Sequence, residues 1–157
     1  MTDVRVIATG LRFPEGPVAM PDGSWLVVEI RRRTLTRVFP DGTTEIVAQL
    51  SGGPNSCAIG PDGAAYIPNN GGFVWREPED VHLPTGEAPA DYTTGRIERV
   101  DLATGEVTTL YTECDGNPLR GPKELHANGM ARSTDLIRTS STSPGSAPST
   151  WIGPVRM

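Results

Sequence analysis

Short runs of β-forming residues, separated by turns, recur from residue 13 to residue 111. A Pro-Asp-Gly turn at 21–23 precedes Trp-Leu-Val-Val at 25–28, and a second at 61–63 precedes Ala-Ala-Tyr-Ile at 64–67. Similar turns at 40–42 and 101–105 lead into further runs. In such turns proline fixes the first central position, aspartate bonds its own backbone, and glycine accepts a positive φ. The pattern therefore predicts an all-β protein built from many hairpins.

The repeat of about 40 residues predicts two units of four strands, an arrangement typical of the blades of a β-propeller. In the first unit the strands are expected at 18–20, 24–30, 34–39 and 43–50. In the second unit they are expected at 56–59, 64–68, 95–102 and 106–111. Residues 4–10 are expected to add a short strand that comes from, or closes, another blade. A third unit is expected to begin at 116–122.

An insertion at 76–94 interrupts the second unit. It contains three prolines, at positions 78, 84 and 89, and shows no periodic pattern of apolar residues. A loop of this length inside a compact domain is usually functional or disordered. The sequence predicts a loop over the top face of the propeller.

Glu15 is the first candidate site residue, because two prolines stiffen the chain around it. Pro14 and Pro17 fix φ and remove two backbone donors, which excludes Glu15 from a helix or a central strand. A carboxylate in a stiff segment loses less entropy on meeting a cation than one in a mobile loop. The alternative is an ordinary solvated glutamate, and at this point both interpretations stay open.

Composition and charge narrow the function classes. The chain has 157 residues, enough for one domain with a core, and most of its 18 glycines and 15 prolines fall in the predicted turns. A net charge of −5 argues against a nucleic-acid surface, which needs a basic stripe. The one basic cluster, Arg-Arg-Arg at 31–33, is predicted to be a charged hairpin tip that discourages edge pairing.

The sequence predicts a cytoplasmic protein without membrane contact. No apolar run approaches the roughly 18 residues that a membrane span needs, and the N-terminus lacks the basic start and apolar core of a signal peptide. Cys57 and Cys114 form neither a disulfide framework nor a metal-ligand spacing, so both are expected to be reduced.

Residues 4–122 resemble the N-terminal part of the gluconolactonase, regucalcin and luciferin-regenerating enzyme family. Four motifs carry the resemblance, in order and at blade spacing. They are Phe-Pro-Glu-Gly-Pro at 13–17, Gly-Pro-Asn-Ser-Cys-Ala-Ile-Gly-Pro-Asp-Gly at 53–63, Asn-Asn-Gly-Gly at 69–72 and Leu-Arg-Gly-Pro at 119–122. The segment that resembles the family, residues 4–122, covers about three quarters of the chain.

The resemblance implies a six-bladed propeller with one divalent cation on its axis, usually calcium, with zinc, magnesium or manganese as alternatives. Family members hydrolyse sugar lactones and related esters, with the metal polarising the carbonyl and a carboxylate handling the water. Glu15 matches the first metal ligand of the family, and Asn55 is expected to line the substrate pocket. The other metal ligands of the family are an asparagine and an aspartate from later blades. No catalytic residue is assigned.

The family pattern stops after residue 122. Family members continue with Asn-Asp and an apolar strand, whereas this chain has Lys123 and Glu124, and serine, threonine and proline dominate 133–150. Such a composition buries too little apolar surface to order itself. The chain is therefore divided into 1–122, the propeller part, and 123–157, a non-family tail. A shifted reading frame or misplaced gene end near codon 122, and a truncated paralogue with a disordered tail, both explain the change.

Two function classes follow from this division. Two blades neither close a ring nor supply all the metal ligands, and one carboxylate holds calcium weakly. A lactone hydrolase with weak or no activity is therefore expected, with self-association through the open sheet edges. The alternative is a non-catalytic β-repeat module that binds a partner, or a degenerate propeller fragment.

The remaining polar and aromatic candidates receive structural interpretations. His82 and His126 have no partner at a meaningful spacing and are predicted to be exposed. Trp25, Tyr66 and Trp75 are predicted to pack between blades. Serine at position 56 lies outside any Gly-x-Ser-x-Gly motif and is not assigned as a nucleophile.

Overall fold

The computed structural model describes residues 3–77 and 81–125, and the backbone of strands at 137–139 and 151–152. Every regular element in these residues is a β-strand, and every strand pair is antiparallel. The predicted all-β class is therefore confirmed. Within the described residues, no helix has the length and hydropathy that a membrane crossing requires.

The first sheet is a meander of four strands that are neighbours in both sequence and space. Its strands are β1 (Pro14–Ala19), β2 (Trp25–Glu29), β3 (Thr34–Val38) and β4 (Thr44–Gln49). All four predicted strands of the first unit are present, although β1 begins earlier than the predicted 18–20. A bulge between Glu15 and Val18 lets the two prolines lie in this edge strand, where a missing N–H breaks few ladder bonds.

The second sheet has the spatial order β10-β9-β6-β5. Its strands are β5 (Ala58–Ile59), β6 (Ala65–Asn69), β9 (Arg96–Val100) and β10 (Val107–Tyr111). The connection between β6 and β9 contains β7 (Trp75–Arg76) and β8 (Leu83–Pro84), which pair with each other. In the structure the insertion is the whole connection at 70–95, which includes Trp75, and it contains a small two-stranded sheet where the sequence predicts only an irregular loop at 76–94.

The two sheets repeat the same pairing at positions 40 residues apart. Pro14 pairs with Glu29 at the start of β1, and Pro54 forms a bridge with Asn69 just before β5. In each sheet, therefore, the last residue of the second strand pairs with the proline at the equivalent position of its own repeat. The sequence repeat is thus a repeat of backbone register.

The opposite end of each sheet carries the same ion pair. Aspartate in each Pro-Asp-Gly turn faces an arginine on the third strand: Asp22 and Arg37 in the first sheet, at 3.7 Å, and Asp62 and Arg99 in the second, at 2.8 Å. Amides two residues after each aspartate also donate to the carboxylate. These bonds explain why the turn sequence recurs.

One apolar core joins the two sheets. Its members come from both, and the largest are fully buried. They are Leu26, Val28, Leu35, Ala48, Leu50, Cys57, Ala65, Ile67 and Val100. Burial of apolar surface contributes about 25 cal/mol per Å² to the free energy of folding. Burial in this shared core is therefore the main interaction that stabilises the packing of the two sheets.

Further strands follow the second sheet. Glu113–Cys114 (β11) and Asn117–Pro118 (β12) form a hairpin, and Pro122–Leu125 (β13) pairs with Ile137–Thr139 (β14), which pairs with Trp151–Ile152 (β15). The sequence predicts no strand after residue 122, and β13 to β15 depart from that prediction. Residues 126–136, 140–150 and 153–157, including His126, lie outside the described residues, so the interpretations of the tail stay predictions.

The strand expected within residues 4–10 is wrong. No residue of this segment pairs with a strand, and the side chains of Val4 and Val6 are 92 % and 73 % exposed. The alternation of valine and charged residues has the pattern of a strand, but a single extended segment is not stable without a sheet edge beside it.

Candidate functional site

Glu15 lies in β1, at the edge of the first sheet. It pairs with Val28 of β2, and its side chain is exposed to solvent. The exclusion from a central strand is therefore confirmed, while the stiff segment around Glu15 is an edge strand with a bulge. Immediately after Glu15, Gly16 has a φ of +52°, a left-handed conformation that glycine adopts without steric strain.

Asn55 occupies the position of the second repeat that corresponds to Glu15. It directly follows Pro54, as Glu15 follows Pro14, and its backbone N–H donates to the carbonyl of Pro68 at 2.9 Å. The residue is half-buried. The two candidates are therefore held at equivalent places by equivalent backbone pairings.

The residues that follow these two candidates are in contact. A Cβ placed on Gly16 would lie 2.6 Å from the Cα of Ser56 and 3.0 Å from the amide nitrogen of Cys57. The backbones of the two repeats therefore meet without any side chain between them. Because Gly16 and Ser56 each follow a candidate residue, the contact brings the Glu15 and Asn55 segments together at one end of the sheets.

A buried carboxylate anchors this end of the first sheet. Glu29 is fully buried, and its Oε1 accepts hydrogen bonds from Arg32 at 2.9 Å, Thr36 at 2.7 Å and Thr34 at 3.3 Å. Its other oxygen accepts the backbone N–H of Arg12 at 2.6 Å. This set satisfies a charge that would be very costly to bury alone.

The second sheet has a corresponding network with different residues. Glu98 is 3 % exposed and accepts from Arg96 at 2.6 Å and from the Asn69 amide at 2.8 Å. Arg96 and Asn69 also donate to the carbonyl of Ser51. The network fixes the segment that leads into Asn55.

The Asn-Asn-Gly-Gly motif at 69–72 builds a tight backbone turn at the same end. The Asn69 side-chain oxygen accepts the amides of Gly53 at 2.8 Å and Gly71 at 3.0 Å, and Asn70 accepts that of Gly72 at 2.8 Å. Among the described residues, the buried Nδ2 of Asn70 and the buried Oγ of Ser56 have no hydrogen-bond partner. Buried polar groups normally have one, so these two are available to a ligand or water.

The insertion docks on the first sheet at this end. The Trp75 ring meets the Phe13 ring edge to face, with centroids 5.2 Å apart, and the Arg31 guanidinium lies 5.9 Å from the Trp75 centroid. Arg31 also bonds Glu77 at 2.5 Å. The insertion therefore covers the entry to β1, and the predicted packing of Trp75 between the two repeats is confirmed.

Two predictions about charged residues bear on this contact, and one of them is wrong. The cluster Arg31, Arg32 and Arg33 forms the β2–β3 hairpin tip, as predicted, and it pairs with Glu77, Glu29 and Asp91. That these charges discourage edge pairing stays a prediction. The prediction of an exposed, unpartnered His82 is wrong: the residue is half-buried, and its Nδ1 lies 3.1 Å from Glu77. Sequence spacing could not reveal the pairs of Arg31 with Glu77 and of Arg33 with Asp91, because the insertion brings these distant partners together.

The two cysteines are free thiols, as predicted. Burial raises the pKa of Cys57 to about 12, and burial together with the neighbouring Asp115 raises that of Cys114. Thiolate is the reactive form, so neither residue is suited to nucleophilic chemistry near neutral pH.

The described residues do not make a complete calcium site by themselves. Glu15 supplies one carboxylate and Asn55 one amide oxygen, whereas calcium takes six to eight oxygen ligands. In the described part of the chain, no group of three or more His, Cys, Asp or Glu side chains is placed to hold a metal ion. Any cation bound here would need further ligands.

Comparison with known proteins adds no identity. No protein-family model matches the chain, and no curated protein matches it.

Proposed function

We propose that this chain forms the first blades of a metal-dependent sugar-lactone hydrolase resembling gluconolactonase and regucalcin, with weak or no activity as the 157-residue chain alone. The complete fold would be a six-bladed propeller with a divalent cation, most readily calcium, at the end where Glu15 and Asn55 lie. Glu15 would bind the cation, and Asn55 would contact the lactone.

The proposal depends chiefly on the equivalence of Glu15 and Asn55. They follow equivalent prolines in two successive repeats, and the residues after them are in contact through Gly16 and Ser56. A ring of such repeats would direct one residue per repeat toward a shared axis. Glu15 is exposed at this position and has no ion-pair partner among the described residues, so it is free to bind a cation.

Calcium titration by calorimetry tests the role of Glu15. With an incomplete ligand set, we expect a dissociation constant of about 10⁻⁴ to 10⁻³ M, the range of weak extracellular sites. Glu15→Gln should abolish the binding heat, and Glu45→Gln, which changes an exposed carboxylate of β4, should leave it unchanged. Equal calcium binding by the wild type and Glu15→Gln would refute the assignment.

A lactone hydrolysis assay tests the chemistry. We expect turnover of an aldonolactone by the 157-residue chain to be at or near the uncatalysed rate in the presence of calcium, magnesium, manganese or zinc. Any activity above that rate should be lost in Glu15→Gln. Activity that persists in this variant would contradict a metal-dependent mechanism at Glu15.

The second candidate is a non-catalytic β-repeat module, and exposed apolar residues on the edge strands favour it. Ile46 on β4 is 52 % exposed, and Tyr111 on β10 is 38 % exposed. Unpaired edges with apolar side chains favour pairing with another chain. Sedimentation that shows concentration-dependent association, weakened by Ile46→Lys and unaffected by calcium, would support this function over the first.

A further inference from the structure

Phe13, two residues before Glu15, has a left-handed backbone. Its φ is +57°, a conformation that few residues other than glycine, asparagine and aspartate adopt. An aromatic residue held in this region indicates that its surroundings impose the conformation, and such strain is concentrated at functional sites.

Two contacts within the first sheet hold the backbone on either side of Phe13. The N–H of Ile30 donates to the carbonyl of Phe13 at 3.1 Å, and the N–H of Arg12 donates to the buried carboxylate of Glu29 at 2.6 Å. Both partners belong to the end of β2 or directly follow it. They fix where the chain enters β1 but do not touch the Phe13 ring.

The ring contact comes from the other repeat. Trp75, at the start of β7 in the insertion, meets the Phe13 ring at 5.2 Å with an interplanar angle of 67°. Trp75 is itself held between Phe73, at 6.2 Å, and the Arg31 guanidinium, at 5.9 Å. The insertion of the second repeat therefore closes on the residue that begins the Glu15 strand of the first.

We propose that Trp75 is a positioning residue for Glu15. By packing on Phe13 it stabilises the left-handed conformation at that residue, which sets the direction of Pro14 and Glu15 along the sheet edge. The cation-binding role of Glu15 rests on the proposed function, but its positioning by Trp75 does not. A residue of the long insertion in the second repeat would thus set the position of Glu15, the candidate metal ligand in the first repeat.

Amide hydrogen exchange tests the positioning without any metal. In Trp75→Ala, we expect the Arg12 and Ile30 amides to exchange about tenfold faster or more, because local opening at this end becomes easier. Amides in the β3–β4 pairing should keep their rates. Trp75→Phe, which retains an aromatic ring, should restore most of the protection and keep the Glu15 amide resonance near its wild-type position.

Trp25→Ala is the matched control. Trp25 is also a partly buried tryptophan, but it pairs with Ala19 and Val38 at the opposite end of the first sheet. Its removal should loosen that end and leave the Arg12 and Ile30 amides protected. Equal loss of protection in both alanine variants, or unchanged protection in Trp75→Ala, would overturn the proposal.

Calcium titration of the same variants separates this proposal from the proposed function. If the wild type binds calcium, Trp75→Ala should weaken binding about tenfold and Trp75→Phe should restore it. Unchanged affinity in Trp75→Ala would overturn the positioning of Glu15. If the wild type binds no calcium, the cation site fails, and the exchange measurement alone decides whether Trp75 positions the Glu15 strand.

Discussion

The first sheet joins β2 to β3 through a short turn at 30–33, whereas the second joins the equivalent strands, β6 and β9, through the long insertion. At the Pro-Asp-Gly end the two sheets share the same turn and the same aspartate–arginine pair. At the other end, the buried acid of the first sheet is Glu29, on the second strand, whereas that of the second sheet is Glu98, on the third strand. The Pro-Asp-Gly end repeats both backbone and side chains and serves as scaffold, whereas the end with the candidate site repeats the backbone pairing but not the side-chain network.

The buried acids give the strongest test of this comparison. Glu29→Ala should lower the free energy of unfolding by about 3–5 kcal/mol, because the Arg32 side chain and the Thr36 hydroxyl lose a buried acceptor. Glu98→Ala should cost a similar amount, by leaving Arg96 unpaired. Urea denaturation measures both, with Glu45→Ala on the exposed face of β4 as the control. A loss below about 1 kcal/mol at either acid would mean that its network does not anchor its sheet.

A mutation at the contact between the repeats should have the next largest effect on stability. Gly16→Ala should destabilise the protein by about 3 kcal/mol, because it adds a side chain against the backbone of Ser56 and strains a left-handed residue. Gly63→Ala has a similar positive φ but open space around it, so it should cost only about 1 kcal/mol. Equal effects in thermal unfolding would show that the repeats do not meet at Gly16.

These two sets of residues also show which features the sequence predicts and which it does not. The turns, the eight strands of the two sheets and the 40-residue repeat were predictable, because proline, glycine and aspartate impose local backbone geometry. The buried state of Glu29 was not, because its partners Thr34 and Thr36 resemble the exposed face of a half-buried strand. The one available signal was its position, since Glu29 and Asn69 both end the second strand of their repeats.

The candidate site likewise has some features that the sequence predicts and others that it does not. The stiff edge position of Glu15 follows from its flanking prolines, and its equivalence to Asn55 follows from the repeat. That Trp75 packs between the repeats was predicted, but its partners Phe13 and Arg31 were not, because these contacts depend on tertiary packing of an insertion without periodicity.

The ion pairs at the shared end should have smaller effects. Hydrogen bonds from Ser24, and more weakly the charge of Arg37, lower the pKa of Asp22. Burial alone would raise the pKa of Asp62, but bonds from Arg99 and the Ala64 amide outweigh it and lower the value. Arg99→Gln should therefore reduce the melting temperature slightly, and Arg37→Gln less, because its pair is longer. The reverse order in a calorimetric scan at pH 7 would contradict the comparison.

The smallest expected effect is a pH dependence of the insertion contact. A hydrogen bond from Arg31, supported by His82, lowers the pKa of Glu77 below its ordinary value of 4.5. Stability from this contact is therefore complete above pH 4.5 and is lost as the pH falls through the lower value of the folded protein. Glu77→Gln should remove this part of the pH dependence. Thermal unfolding of both forms between pH 3 and pH 7 checks it, and identical pH profiles would refute the prediction.

The different connections also set the order in which the protein folds. The first sheet forms only hairpins between successive strands, so each pairing closes a short loop. The second sheet must close the whole insertion before β9 meets β6, and a longer loop costs more entropy to close. We expect the first sheet to form early and the second to assemble on it, so that the Trp75 contact with Phe13 is among the last to form.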